Sequence, residues 1–188
     1  YRNEATPFVF RAVNRLDRDT SGLVLLAKNP YSSCVLSDAV KDHTIHREYA
    51  AIVSGKTDAS GTIDLPIARK DGSTIERVCD PERGETAVTH YRTFAYNKDA
   101  DISFIRLLLE TGRTHQIRVH MKAIGHPLPG DFLYCPDYRF IDRQPLHSTY
   151  LRFSHPVTGE KLEFSASLPE DMRKLFPDIK NPSGPVFF

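Results

Sequence analysis

Val13 to Ala27, VNRLDRDTSGLVLLA, reads as a strand broken by a polar turn. An apolar approach through Val13 and Leu16 meets the charged knot Arg15, Asp17, Arg18 and Asp19. It then passes Thr20-Ser21-Gly22 and resumes as the apolar run Leu23 to Ala27. This layout sets a carboxylate at the end of a buried element, where the core fixes the backbone and the loop leaves the side chain reachable. Spacing alone keeps a plainer alternative open: Asp17 and Asp19 beside arginines also suit turn chemistry and surface ion pairing.

The rest of the composition is that of one folded domain. A chain of 188 residues with 40% apolar and 10% aromatic content can bury an ordinary core and is not a disordered segment. A formal net charge of +1 makes no claim for a polyanionic partner, so nucleic-acid binding has to come from a local arrangement of the 25 lysines and arginines. Cys34, Cys79 and Cys135 are odd in number, far apart and without CxxC spacing. That argues against a disulfide framework or a zinc site and for free thiols in a reducing, cytoplasmic setting. No apolar run approaches the roughly 20 residues of a membrane-spanning helix, and the start, YRNEATPFVF, is strand-like rather than a signal peptide.

Asn29-Pro30 is an N-cap followed by proline at the first helical position, and Val35, Leu36, Ala39 and Val40 give a helical stripe ending near Lys41. Glu48 to Val53 is a compact strand with Tyr49 at its entrance. Residues 56–86 form a loop-rich excursion with one apolar island, Ile63 to Ala68; its Arg69, Lys70, Arg77 and Arg83 read as a solvated face. Alternation over Thr86 to Tyr96, then Ser103 to Glu110, predicts an antiparallel hairpin. Beyond it, Thr114 is expected to cap a helix with the stripe Ile117, Met121 and Ile124 and a stop at Gly125. His115, Arg118 and Lys122, at spacings of three and four, would then form a basic ridge beside that stripe. A hairpin of Leu151 to His155 with Lys161 to Phe164 and a short helix, Pro169 to Leu175, precede a proline-rich tail expected to be poorly ordered.

Several chemistries find little support in these residues. There is no HExxH, and His115 and His120 at i and i+5 are poorly spaced for joint ligation of a metal. Ser21 lacks the flanks of a nucleophile elbow, and no GxGxxG is present for a dinucleotide. What remains is a carboxylate nucleophile or base held charged and aimed by an arginine, Arg118 being a reasonable partner, with a tyrosine hydroxyl nearby. Arginines with tyrosines also suit phosphates and stacked bases.

Several segments, in order, resemble one family. NRLDRDTSGL (14–23) closely resembles the signature of the RluA-like pseudouridine synthases, HRLD followed by two variable residues and TSGL. REYAAIVSG (47–55) and LETGRTHQIRVHMKAIGHPLPGD (109–131) resemble their second and third motifs, with further support from LHSTYLRFSHPVTGE (146–160) and SLPEDM (167–172). The resemblance implies an α+β domain whose mixed, largely antiparallel sheet, flanked by helices, bears a central RNA-binding cleft. The implied activity is isomerisation of specific uridines in ribosomal or transfer RNA to pseudouridine without cofactor or metal. By the same resemblance Asp17 matches the catalytic aspartate, acting on the ribose or on the base. Tyr49 matches the tyrosine that stacks on the target base, and Arg118 the basic residue paired with the aspartate. Arg15 matches an arginine implicated in extruding the target nucleotide. Thr20 and Gly22 match positions that shape the turn, and Arg113 and His115 are added as substrate-binding candidates. Asn14 stands where the family most often has histidine. The expected organisation is a monomeric catalytic domain over 1–180, lacking its N-terminal part, with a tail over 181–188. A non-catalytic RNA-binding module with the same fold is the alternative.

Overall fold

A computed structural model describes residues 9–180 and 184–187. Its centre is the strand β4 (His46–Ser54), flanked on one side by β9 (Ile102–Leu109) and on the other by β10 (Leu146–Ser154). β8 (Val88–Asn97) and then β5 (Ser60–Asp64) continue the sheet beyond β9, and β11 (Lys161–Ser165) closes it beyond β10. All of these pairings are antiparallel. The exception is a two-residue strand, β2 (Ser21–Gly22), which lies parallel to β10. Two small ribbons stand apart: β1 (Arg11–Ala12) with β3 (Leu26–Ala27), and β6 (Ile67–Arg69) with β7 (Arg77–Cys79).

The sequence of β4 explains its central place. Tyr49 to Val53 form a continuous buried run, as a strand covered on both faces requires. Tyr49, Ala51 and Val53 face one side, where they meet Ile117 and Met121 of the helix α2 (Gln116–Ala123). Ala50 and Ile52 face the other, against Met172 of the helix α3 (Glu170–Leu175) and Phe176. The helix α1 (Pro30–Lys41) covers the β10 end through Leu36, with Leu151 and Phe153. Its start is as expected, since the Asn29 side chain accepts a hydrogen bond from the Ser32 amide at 2.8 Å and Pro30 opens the first turn.

Three expectations need correction. The run Leu23 to Ala27 is largely loop, with only Leu26 and Ala27 in a strand: Leu23, Leu25 and Ala27 pack beneath α1 instead of joining the main sheet, and Val24 and Leu26 are exposed. The excursion 56–86 is more ordered than its composition suggests, holding β5 and the β6–β7 ribbon. Thr114 does not cap α2; the cap position is His115, in the left-handed region at φ 59°. The strand-like opening falls mainly on residues outside those described.

The closing segment has a specific berth where it is described. Glu48, fully buried on the α3 face, accepts from Arg106 Nη2 at 2.6 Å and lies 2.9 Å from His46 Nε2. The amides of Val186 and Phe187 complete its shell at 2.9 and 3.1 Å. Burial opposes the charge on Glu48, but His46, these amides and Arg106 outweigh it and hold the carboxyl below its ordinary range. Its stabilisation is therefore present above the unfolded carboxylate's pKa of about 4.3 and is lost as pH falls through the lower folded value. Glu48→Gln, which leaves Arg106 buried without its counter-charge, should lower stability at neutral pH by about 3 kcal/mol in urea unfolding. The deficit should shrink as the pH is lowered below about 4.

Candidate active site

The segment Asp17 to Gly22 is a turn locked from behind. The Thr20 amide donates to the Asp17 carbonyl at 3.0 Å, with Asp19 at φ 67° inside the turn. Gln144, fully buried, donates from Nε2 to the Arg18 carbonyl, and Arg143 donates to the Asp19 carbonyl at 3.1 Å. Leu16 packs into the core beneath, so its neighbours Arg15 and Asp17 are presented outward. Asn14 is structural: its side-chain oxygen accepts from the Leu25 amide at 2.7 Å. Gly22 has φ 111°, and a Cβ there would stand 2.2 Å from the Ser148 carbonyl oxygen. Only glycine lets the turn run along β10 at this distance.

Across the cleft, α2 supplies Arg118, whose side chain is almost completely buried and is therefore not part of an exposed ridge. Its Nε and Nη2 donate to the two oxygens of Asp131 at 2.6 and 2.7 Å, a paired fork that fixes the guanidinium plane. The remaining end, Nη1, donates to Asp17 Oδ2 at 3.2 Å. Asp131 is itself held by the amides of Leu133 and Tyr134 at 3.0 and 3.2 Å. The Tyr134 ring lies against the guanidinium, 4.9 Å from its carbon. Burial works against the charge on Arg118, but Asp131 and Asp17 outweigh it and raise its pKa further.

One open cleft gathers Arg15, Asp17, Thr20, Tyr49, Arg113, His115 and Arg118. Of the residues singled out in the sequence, only Gly22 is absent from its lining; it shapes the cleft from behind. Tyr49 is not at a strand entrance but well inside β4, on the cleft floor beside Leu146 and Ile117. Burial, opposed by Arg47 and reinforced by Asp17, raises its phenol pKa, so it presents a neutral ring and hydroxyl. Arg113 sits at the rim, tied to Glu85 at 2.6 Å and to the Thr86 carbonyl at 3.0 Å. The N-terminus of α2 is bolted to the sheet by Gln116. Its side-chain oxygen accepts from the Arg113 amide and Thr111 hydroxyl, both at 2.9 Å, and its nitrogen donates to Val88 O and Thr89 Oγ1, both at 3.0 Å.

Sequence reasoning missed Asp131, Tyr134, Gln116 and Gln144, whose roles depend on long-range contacts. It also missed Arg47, which lines the cleft beside Tyr49 and whose Nε is buried without a partner.

Over residues 1–123 the sequence matches the family described as RNA pseudouridylate synthase. The chain belongs to this family. It is 47% identical over 176 residues to the Bacillus subtilis (strain 168) protein named Uncharacterized RNA pseudouridine synthase YjbO, covering 93% of this chain and 61% of that protein. It is 44% identical over 174 residues to the Ribosomal large subunit pseudouridine synthase D of Vibrio cholerae, covering 85% of this chain and 53% of that one. The chain thus spans about half to three-fifths of the length of these relatives. The solved structure of Human RNA Pseudouridylate Synthase Domain Containing 1 shares the fold, with a TM-score of 0.75 at 24% identity, covering 93% of this chain and 83% of that one. Human RNA Pseudouridylate Synthase Domain Containing 4 follows with 0.67 at 21%, over 86% and 72%.

In this chain the close Gly22–Ser148 approach helps to set where Asp17 stands. Gly22→Ala should therefore cost about 3 kcal/mol of stability, from contact and backbone strain together, measured by denaturant unfolding. A variant that still folds should also lose the Asp17–Arg118 contact, because the turn must retreat from β10.

Proposed function

We propose that this domain isomerises uridine to pseudouridine in RNA, with Asp17 as the reacting carboxylate. The observation that carries the reading is the Asp17–Arg118 contact at 3.2 Å, made across 101 positions of sequence in a cleft floored by Tyr49. The reaction cleaves N1–C1′, turns the uracil and joins C5 to C1′; the C5 proton leaves and N1 gains one, so the net change is an isomerisation. Asp17 serves as the nucleophile on the ribose or on the base, and Arg118 keeps its oxygen aimed. A carboxylate with a fixed partner spends no free energy on reorganisation when charge shifts onto the substrate.

Tyr49 offers a face for the target base, and Arg15, on the turn beside Asp17, fills the space left when that nucleotide is drawn out of its stack. Arg47, Arg113 and Thr20 contact the flanking backbone. The relatives named for the ribosomal large subunit, 41 to 44% identical, favour ribosomal RNA as the substrate over transfer RNA. Three free cysteines fit a reducing cytoplasm, and the domain acts as a monomer. Among the described residues no helix is long and apolar enough to cross a membrane.

Asp17→Asn should reduce tritium release from RNA labelled at uridine C5 by at least about 1,000-fold. RNA affinity should stay within about threefold, because Asp131 still holds Arg118 in place. Wild-type turnover by this variant is the result that sinks the assignment. Pseudouridine mapping in ribosomal and transfer RNA, with and without the gene, identifies the substrate.

A further inference from the structure

His115, three residues before Arg118, approaches the same oxygen of Asp17, and its surroundings leave little freedom to its ring. Its backbone is held in the left-handed region at φ 59°, a costly conformation for a residue of this size, at the cap of the helix that carries Arg118. The ring meets Tyr134 edge-on at 5.7 Å, and its Nδ1 is 2.9 Å from the Tyr134 hydroxyl. That hydroxyl already accepts the Arg77 amide proton at 2.8 Å. A backbone amide can only donate, so the phenol's own proton is free for the other neighbour, which is Nδ1 of His115. When the phenol donates to it, Nδ1 is an acceptor and the ring proton resides on Nε2. Nε2 points at Asp17 Oδ2, 4.0 Å away.

We infer that His115 is a positioning residue for Asp17: Tyr134 locks its imidazole as the neutral Nε2–H tautomer, which faces the carboxylate and closes on it when substrate fills the cleft. Asp17 Oδ2 is thus steered by two groups, Arg118 and His115. Both guides are held by the same side chain, since Tyr134 touches Arg118 with its ring and His115 with its hydroxyl. Burial favours the neutral ring; Arg118 and Arg77 add to that, while Asp17 and Asp131 oppose it, and the pKa lies below the ordinary histidine value. Lys122 lies over the Tyr134 ring at 5.5 Å, and the Glu76 carboxylate also acts on that tyrosine.

The role in catalysis rests on Asp17 being the reacting carboxylate, whereas the tautomer does not. Long-range proton–nitrogen correlation spectra of histidine-labelled protein, with His115 assigned by its loss in a variant, should show a single neutral Nε2–H ring at neutral pH. Tyr134→Phe should turn that signal into a mixture. An Nδ1–H ring or an imidazolium overturns the inference, whatever the activity.

In turnover, the amide nitrogen of His115→Gln can replace Nε2, so kcat should stay within about threefold of wild type. His115→Asn and His115→Ala should lose about 10- to 100-fold in kcat with RNA affinity little changed. Asparagine is the better tolerated residue in the left-handed region, so a purely structural role would rank the variants the other way. Asn matching or exceeding Gln, or Ala matching wild type, overturns the positioning role. A wild-type protein with no activity on RNA overturns the proposed function, while the spectra still decide the tautomer.

Discussion

The site depends on one buried guanidinium shared by two carboxylates. Arg118 uses its fork on Asp131 and only its last nitrogen on Asp17. An arginine taken wholly out of water needs such a partner, since an unpaired buried charge is among the costliest faults a fold can carry. Asp131 supplies that neutralisation from inside the protein, so Asp17 is left partly exposed and available. If Asp17 were the sole counter-ion, any reaction at its oxygen would strip Arg118 of its partner. With Asp131 present, the arginine stays in place whatever happens to Asp17 during turnover.

This division also explains the layout of the chain. Asp17 lies on a turn that β10 and Gln144 fix from behind, Arg118 on a helix that Gln116 bolts to β8, and Tyr49 on the central strand. Each comes from a different element, and each element is anchored to the same sheet. Rigid positioning of a few side chains on packed elements is what a cleft of this kind requires. Loop 130–134 then joins them: Asp131 holds Arg118, while Tyr134 touches both Arg118 and His115.

Much of the fold was legible because local signals agreed with tertiary ones. The Asn29-Pro30 cap, the apolar run of β4 and the two hairpins carry their own periodicity, and the structure follows them. The segment 23–27 misled because an apolar run does not say which surface will cover it; here it packs beneath α1. At the site, Asp17, Tyr49 and Arg118 were recognisable by resemblance, not by spacing, since nothing in local pattern relates residues 101 positions apart. Gln144 and Asp131 were invisible for the opposite reason. A buried polar residue in a loop resembles a solvated one until its partners are placed around it.

The charge distribution follows from the same geometry. A net charge of +1 is modest for a chain proposed to act on a polyanion. Many of its arginines are already satisfied: Arg83 by Asp71 and Asp80, Arg113 by Glu85, Arg139 by Asp137, Arg143 by Asp171 and Arg106 by Glu48. Among the described residues no carboxylate lies within ion-pair distance of Arg15 or Arg47, and both line the cleft beside Asp17. Arg15 and Arg47 thus leave uncompensated positive charge beside Asp17, where it would draw a phosphate toward the cleft. On the proposed function, choice among RNAs falls to their shape and to whether the target uridine can leave its stack, because the cleft offers a small number of fixed groups and one aromatic floor.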